Sequence, residues 1–178
     1  FEMEVGVQAL AWPEDTLKRE LQQADSEGTL KRELQQPGAP IKTATLICFE
    51  DVFPQLVREY ANDDTDFLVN LTNDGWFGES AQQWQHAANA VFRAVENRRP
   101  LVRCTNNGLT CWIDDAGRMH EMWFGDSRDI YGAGFKTARI PLLAEGRRRP
   151  LTFYTRHGDW FGWACVALAA AWLGTSAL

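Results

Sequence analysis

The 178-residue chain has little of what metal and nucleic-acid sites require. It contains four cysteines and three histidines, and none of them has the spacing of metal ligands, so a zinc site is not expected. Its net charge of −6 provides no excess of basic residues for nucleic acid. A signal-peptide pattern is also missing and the chain starts at Phe1, so we expect a piece of a longer protein. No metal, cofactor or nucleic-acid partner is predicted.

What remains is the composition of a globular domain, with 45% hydrophobic and 24% charged residues. We expect one domain over residues 1–150 and a distinct C-terminal segment over 151–178. Within the domain, the sequence TLKRELQQ occurs at 16–23 and again at 29–36. This duplication predicts a polar helical insert over 15–38 that is weakly tied to any core.

The strongest candidate for a site is the stretch TATLICFEDVFP at 43–54. It predicts a short buried strand, an abrupt turn and a helix that starts at Pro54. Cys48 lies at the turn, where a nearby helix N-terminus lowers the pKa of a thiol and favours the nucleophilic thiolate. Glu50 follows two residues later. The alternative is that Cys48 is a small buried hydrophobic residue that closes the strand.

Two other predicted strands end at candidate residues. The strand at 5–12 leads to Glu14, and α/β enzymes place catalytic groups just past strand ends. An ordinary acidic residue in a first helical turn is the alternative for Glu14. The strand at 66–72 leads into a loop with Trp76 and Phe77, which form either the wall of a binding site or a lid folded over the core.

The longest predicted helix covers 80–97. Its apolar residues recur at helical spacing and predict one buried stripe, formed by Trp84, Ala87, Ala88, Val91, Phe92 and Val95. His86 lies off this stripe, and we predict that it forms structural hydrogen bonds rather than acting as a catalytic base.

Two cysteines fall on the neighbouring predicted strands 101–105 and 109–114. If the Asn-Gly pair between these strands formed a two-residue turn, Cys104 and Cys111 would lie opposite each other. A disulfide is then conceivable in an oxidising compartment, although two buried thiols are the favoured interpretation.

The end of the chain is apolar. Arginines at 147–149 precede the uncharged run WFGWACVALAAAWLG at 160–174. The run is shorter than the roughly twenty residues that cross a bilayer, but its tryptophans and the upstream arginines are typical of a membrane interface. We predict a juxtamembrane segment and a truncated transmembrane helix over 151–178, with a buried C-terminal helix as the alternative.

Taken in order, these motifs resemble the nitrilase (carbon–nitrogen hydrolase) superfamily, and within it the bacterial apolipoprotein N-acyltransferases. The segments that carry the resemblance are LAWPE at 10–14, LICFEDVFP at 46–54, LVNLTNDGWFG at 68–78, WQHAANAVFRAVENRRPLVRCTNNG at 84–108 and LTFYTRHGDW at 151–160. The last segment is typical of the membrane-bound acyltransferases.

The resemblance implies an α/β fold, a partial nitrilase-like αββα sandwich, with a Glu-Lys-Cys catalytic set. On the matching motifs, Cys48 is the nucleophile and Glu14 is the general base. Glu50 matches a carboxylate that the family carries two residues past the cysteine, and we include it in the predicted catalytic set. Lipid-contacting roles are implied for Trp76 and Phe77.

The implied reaction moves a fatty acyl chain from a phospholipid to the cysteine as a thioester. The chain then passes to the N-terminal amine of a diacylglyceryl apolipoprotein. Phe49 occupies the position after the cysteine, where the family commonly has tyrosine, and is also expected to contact substrate. Such an enzyme works at the bacterial inner (cytoplasmic) membrane, with its catalytic domain on the periplasmic side.

The chain departs from the family between Glu14 and Cys48. The lysine-bearing motif of the family is missing there, and the lysines present, Lys18, Lys31 and Lys42, lack its neighbours. We therefore assign no catalytic lysine. Two alternatives follow: a non-catalytic remnant that keeps the sandwich core, and a soluble nitrilase-type amidase.

Overall fold

The computed structural model describes residues 2–9, 40–121, 123, 130–143 and 147–176. Its strands are β1 Glu2–Ala9, β2 Thr43–Ile47, β3 Phe67–Asn73, β4 Leu101–Asn106, β5 Cys111–Ile113, β6 Met119–Glu121 and β7 Gly134–Pro141. Its helices are α1 Pro54–Tyr60, α2 Gln82–Asn97, α3 Phe153–His157 and α4 Trp160–Ser176, with 3₁₀ turns at Cys48–Val52 and Gly75–Phe77.

The larger sheet has five strands in the order β2-β3-β4-β5-β6. β2, β3 and β4 run parallel, whereas β5 and β6 are added antiparallel. Parallel neighbours need crossover connections, which α1 and α2 supply. Pro54 begins α1 as the sequence predicts, since proline suits a first helical position.

A second sheet pairs β1 with β7 antiparallel. It covers one face of the larger sheet, where Phe67 and Val102 pack in one apolar cluster with Ala138 and Ile140. The helices α1 and α2 cover the other face, in a cluster that includes Leu46 and Val57. Helix, sheet and sheet thus form successive layers, and the α/β prediction is confirmed.

The predicted apolar stripe of α2 is wrong. Among its six members only Ala87 is buried, whereas Trp84, Phe92 and Val95 are 41%, 60% and 45% exposed. The buried residues of the helix are mostly polar or small: Gln83, His86, Ala87, Ala90, Arg93, Ala94 and Asn97. Helical spacing alone could not reveal this, because the inward face is chosen by polar partners deeper in the fold.

The two cysteines of β4 and β5 do not face each other. Cys111 pairs with Arg103 in the sheet, because residues 107–110 form a longer connection than a two-residue turn. All four cysteines are free thiols, as the interpretation of two thiols expects, but only Cys111 is buried and Cys104 is half-buried.

The C-terminal segment is attached to the end of α2. The Thr152 hydroxyl donates to the backbone carbonyl of Glu96 at 2.5 Å, and the Thr155 hydroxyl donates to the Asn97 side chain at 3.2 Å. Gly158 then turns the chain with a φ of 62°, a conformation that favours glycine. A Cβ there would lie 2.8 Å from the Arg58 guanidinium.

Helix α4 follows and exposes its apolar side chains. Trp163 is 73%, Leu168 is 72% and Trp172 is 69% exposed. No helix within the described ranges reaches both the length and the apolarity that crossing a membrane requires.

Candidate active site

Cys48 lies at the point where β2 ends, as the first residue of the 3₁₀ turn. Its φ is 52°, a left-handed conformation that a residue with a Cβ adopts only where the surroundings enforce it. Such strain is typical of functional turns that lift a nucleophile clear of a sheet. The strand, turn and helix predicted at 43–54 are present, with the thiol at the turn. The prediction that the strand is buried is wrong, because only Leu46 is buried among its five residues.

The neighbouring strand β3 holds both ends of this cysteine. The Asn70 side-chain amide donates to the Cys48 carbonyl at 3.0 Å, and the Thr72 hydroxyl donates to its Sγ at 3.4 Å. Partial burial of the thiol opposes its ionisation. This effect is outweighed by hydrogen bonds from the Thr72 hydroxyl and from the backbone N–H groups of Asn73 and Phe49, and by the charge of His86. Together they lower the pKa of the Cys48 thiol.

Beneath the turn lies a buried charge cluster of Asp51, Asp74, His86 and Arg103, each at most 3% exposed. His86 bridges the two carboxylates, with Nε2 2.9 Å from Asp51 and Nδ1 2.8 Å from Asp74. Arg103 bridges them as well, donating to Asp51 at 2.8 Å and to Asp74 at 2.9 Å. It also donates to Asn70 at 3.0 Å, which links the cluster to the Cys48 carbonyl.

The cluster is electrically balanced only when His86 is protonated, with two carboxylates facing two cations. Burial disfavours the imidazolium, and the like charge of Arg103 also opposes it. The hydrogen bonds to Asp51 and Asp74 outweigh both effects and raise the His86 pKa to about 9. The pKa of Asp74 is lowered in spite of burial, because His86 and Arg103 stabilise its carboxylate. The predicted structural hydrogen bonds of His86 are therefore present, and its raised pKa favours the charged donor form.

Two further side chains hold the turn. Arg93 donates to the backbone carbonyls of Asp51 and Val52 at 3.3 and 3.4 Å. These hydrogen bonds attach the turn to the buried face of α2. The Glu50 carboxylate accepts from the Ile47 backbone N–H at 2.7 Å. This contact places the predicted catalytic Glu50 against the backbone that precedes the cysteine and gives it a part in shaping the turn.

Two phenylalanine rings lie against His86. The rings of Phe49 and Phe77 lie 5.2 and 5.9 Å from the His86 ring, and Phe49 also contacts Phe53 at 6.4 Å. Phe49 is 50% and Trp76 is 81% exposed. The fold thus brings Phe49 and Phe77 against the buried His86, whereas Trp76, on the same loop as Phe77, is exposed.

Of the remaining candidates from the sequence, the structure describes only Lys42. Glu14, Lys18 and Lys31 lie outside the described residues. Lys42 precedes β2, at the opposite end of the strand from Cys48, and its Nζ pairs with Asp64 at 2.8 Å. The one lysine that the structure describes near β2 therefore has another partner.

Reasoning from the sequence missed the residues beneath Cys48, above all Asp51, Asp74 and Arg103. One signal was available. Asn70 and Arg103 interrupt strands that are otherwise apolar and central, where a polar side chain needs a buried partner.

The sequence pattern of the carbon–nitrogen hydrolase family matches residues 6–129, and the chain belongs to this family. Among curated proteins, it is 42% identical over 142 residues to the apolipoprotein N-acyltransferase of Geobacter metallireducens, covering 75% of this chain and 25% of that protein. It is 39% identical over 134 residues to the apolipoprotein N-acyltransferase of Chlorobaculum tepidum, covering 74% and 23%. The chain thus spans about a quarter of the length of these relatives.

Among solved structures, the chain is similar to a carbon–nitrogen hydrolase from Helicobacter pylori G27. The TM-score is 0.46 and the identity 14%, covering 60% of this chain and 45% of that one. An amidase from Nesterenkonia sp. gives a TM-score of 0.42 and 18% identity, covering 56% and 37%.

Proposed function

We propose that this chain carries the cysteine-bearing part of an apolipoprotein N-acyltransferase. Cys48 would take a fatty acyl chain from a phospholipid and pass it to the N-terminal amine of a diacylglyceryl apolipoprotein. The observation that carries the proposal is the strained turn at Cys48, whose thiol has a lowered pKa above a buried charge cluster. We take the substrates from the activity for which the curated relatives are named.

The chemistry has two steps. The Cys48 thiolate attacks the ester carbonyl of the phospholipid, the bond to the glycerol oxygen breaks, and that oxygen leaves with a proton as a lysophospholipid. The acceptor amine then attacks the thioester, loses a proton and expels the thiolate, which leaves an amide. We assign the proton transfers to Glu14 by the family motif, and no oxyanion donor is assigned among the lysines.

Exposed apolar side chains near the C-terminal ends of β2 and β3 suit an acyl chain. Ile47 and Leu71 are paired at the ends of β2 and β3 and are 56% and 46% exposed. Phe49, next to Cys48 in the chain, and Trp76, on the loop after β3, are exposed as well, whereas Phe77 is half-buried. Exposed apolar surface of this kind marks binding sites for apolar ligands.

We also propose that α4 lies in the membrane and anchors the domain there, on the periplasmic side of the inner membrane. Large apolar side chains are exposed along the helix, and tryptophans occur near both of its ends, as in membrane-interface belts. Asp159, just before the helix, accepts a hydrogen bond from Gln55 of α1 at 3.0 Å. The domain is thus attached close to its anchor.

The test is the intact mass of the chain in detergent after incubation with phospholipid, beside the Cys48→Ser variant. An acyl-sized gain in mass that hydroxylamine removes, and that Cys48→Ser lacks, is expected. The alternative is a non-catalytic remnant, which the position of Lys42 away from the site favours. No adduct on a folded chain would support that alternative and contradict acyl transfer.

A further inference from the structure

The Thr72 hydroxyl lies between two acceptors and has one proton to give. Its Oγ1 is 3.4 Å from Cys48 Sγ and 3.1 Å from Asp74 Oδ1. Asp74 with its lowered pKa is a carboxylate that only accepts. The hydroxyl can therefore serve one of these two groups at a time.

Asp74 does not depend on that proton. Its Oδ1 also accepts from His86 Nδ1 at 2.8 Å, and its Oδ2 accepts from Arg103 at 2.9 Å. Both donors are cations buried beside it. The carboxylate thus stays satisfied and fixed in place when the hydroxyl turns away, and charged donors of this kind form the strongest hydrogen bonds.

The Cys48 sulfur gains a hydrogen-bond donor when the Thr72 hydroxyl turns toward it. As a thiol it can donate to Thr72, and Thr72 then donates to Asp74. As a thiolate it has no proton and needs donors, and a hydroxyl 3.4 Å away is within reach of a sulfur. The charged groups that surround this exchange are Asp51 and Glu50 on the turn of Cys48, Asp74 on the loop after β3, His86 on α2 and Arg103 on β4.

We propose that Thr72 is a positioning residue for the Cys48 nucleophile. The Thr72 hydroxyl turns from Asp74 to the sulfur when the Cys48 thiolate forms. The buried charge cluster makes this turn inexpensive, because His86 and Arg103 continue to hold Asp74. The inference rests on the proposed function only in taking Cys48 as the reacting group.

The experiment measures iodoacetamide alkylation of the Cys48 peptide against pH, in the full chain in detergent, for the parent, Thr72→Val and Thr72→Ser. Valine keeps the branched shape without the hydroxyl, and serine keeps the hydroxyl. Thr72→Val is expected to raise the midpoint by about one pH unit, and so to slow alkylation about tenfold below the midpoint. Thr72→Ser is expected to stay within about 0.3 unit of the parent. Equal midpoints for the parent and Thr72→Val, or a serine variant shifted as far as the valine one, would overturn the proposal.

The buried Cys111 reports on the fold in the same digest, because burial raises its pKa to about 12 and it stays unreactive while the core is closed. If Thr72→Val opens the core, Thr72→Ala, which only removes atoms, is measured instead. Unfolding of both variants would make Thr72 a structural residue and overturn the proposal. Alkylation needs no lipid, so its result is independent of whether acyl transfer is observed.

Discussion

The two long helices, α2 and α4, both expose apolar side chains, for different reasons. In α2, Phe92 is exposed while His86 and Arg93 are buried. Exposing a phenylalanine forgoes about 1.5–3 kcal/mol, whereas a buried carboxylate without its cation costs about 3–5 kcal/mol. His86 pairs with two buried carboxylates beneath the turn, and the polar face of α2 therefore points inward. α4 carries no charge that could direct it, and its apolar side chains stay exposed in the described structure. Partners, rather than apolarity alone, decide which face is buried.

The largest expected effect comes from removing a charge from the cluster. Arg103→Met leaves Asp51 and Asp74 with His86 alone, and we expect a loss of about 3–5 kcal/mol in the free energy of unfolding. The matched control is Arg148→Met, because Arg148 pairs with Asp63 at the surface with 66% of its side chain exposed. That variant is expected to lose at most about 1 kcal/mol. Equal losses in urea unfolding would refute the special role of the cluster.

The second effect is a dependence of stability on pH. The folded pKa of His86 is about 9 and its ordinary value is 6.5. Its stabilisation is therefore complete below pH 6.5 and is lost as the pH rises through 9, with a total of roughly 3 kcal/mol. Urea unfolding from pH 6 to 9.5 checks this in a Cys48→Ser background, since the thiol has a lowered pKa and contributes with the opposite sign. His86→Gln should flatten the curve, and an unchanged slope would exclude His86 as its source.

A smaller effect is expected at Gly108, which makes room for Asp74. A Cβ there would lie 2.6 Å from Thr105 Cγ2 and 2.8 Å from the Asp74 carboxylate. Gly108→Ala should therefore cost about 1–3 kcal/mol through overpacking. Gly162→Ala on α4 is the control, because its Cβ would meet nothing within 4 Å, and helix propensity makes it neutral or slightly stabilising. Thermal unfolding of both variants measures the two changes in stability. A Gly108→Ala variant as stable as the parent would contradict the tight packing around Gly108.

The smallest effect is expected on the exposed face of α2. Because Phe92 is 60% exposed, Phe92→Ala should change the free energy of unfolding by less than about 1 kcal/mol. A core phenylalanine would cost about 3–5 kcal/mol. A loss above about 2 kcal/mol in urea unfolding would restore the apolar stripe that helical spacing predicted.

Local signals in the sequence were sufficient for the order of strand, turn and helix around Cys48, because β-branched residues precede the turn and Pro54 suits the first turn of a helix. They were not sufficient for α2, since its inward face is set by Asp51 and Asp74, which lie 35 and 12 residues from His86. The family resemblance named Cys48 and Glu50 but not the cluster that holds them. Asn70 and Arg103 within apolar strands were the only local trace of it. Glu14 stays a prediction.

The most direct measurement compares iodoacetamide alkylation of Cys48 at pH 6.5 in the folded chain and in urea, with Cys111 as the internal reference. Unfolding exposes both thiols, so accessibility alone predicts faster reaction in urea for both. Because the folded structure lowers the pKa of Cys48 and raises that of Cys111, we predict that Cys48 reacts faster when folded and Cys111 faster when unfolded. A Cys48 that reacts more slowly in the folded chain would contradict its assignment as an activated nucleophile.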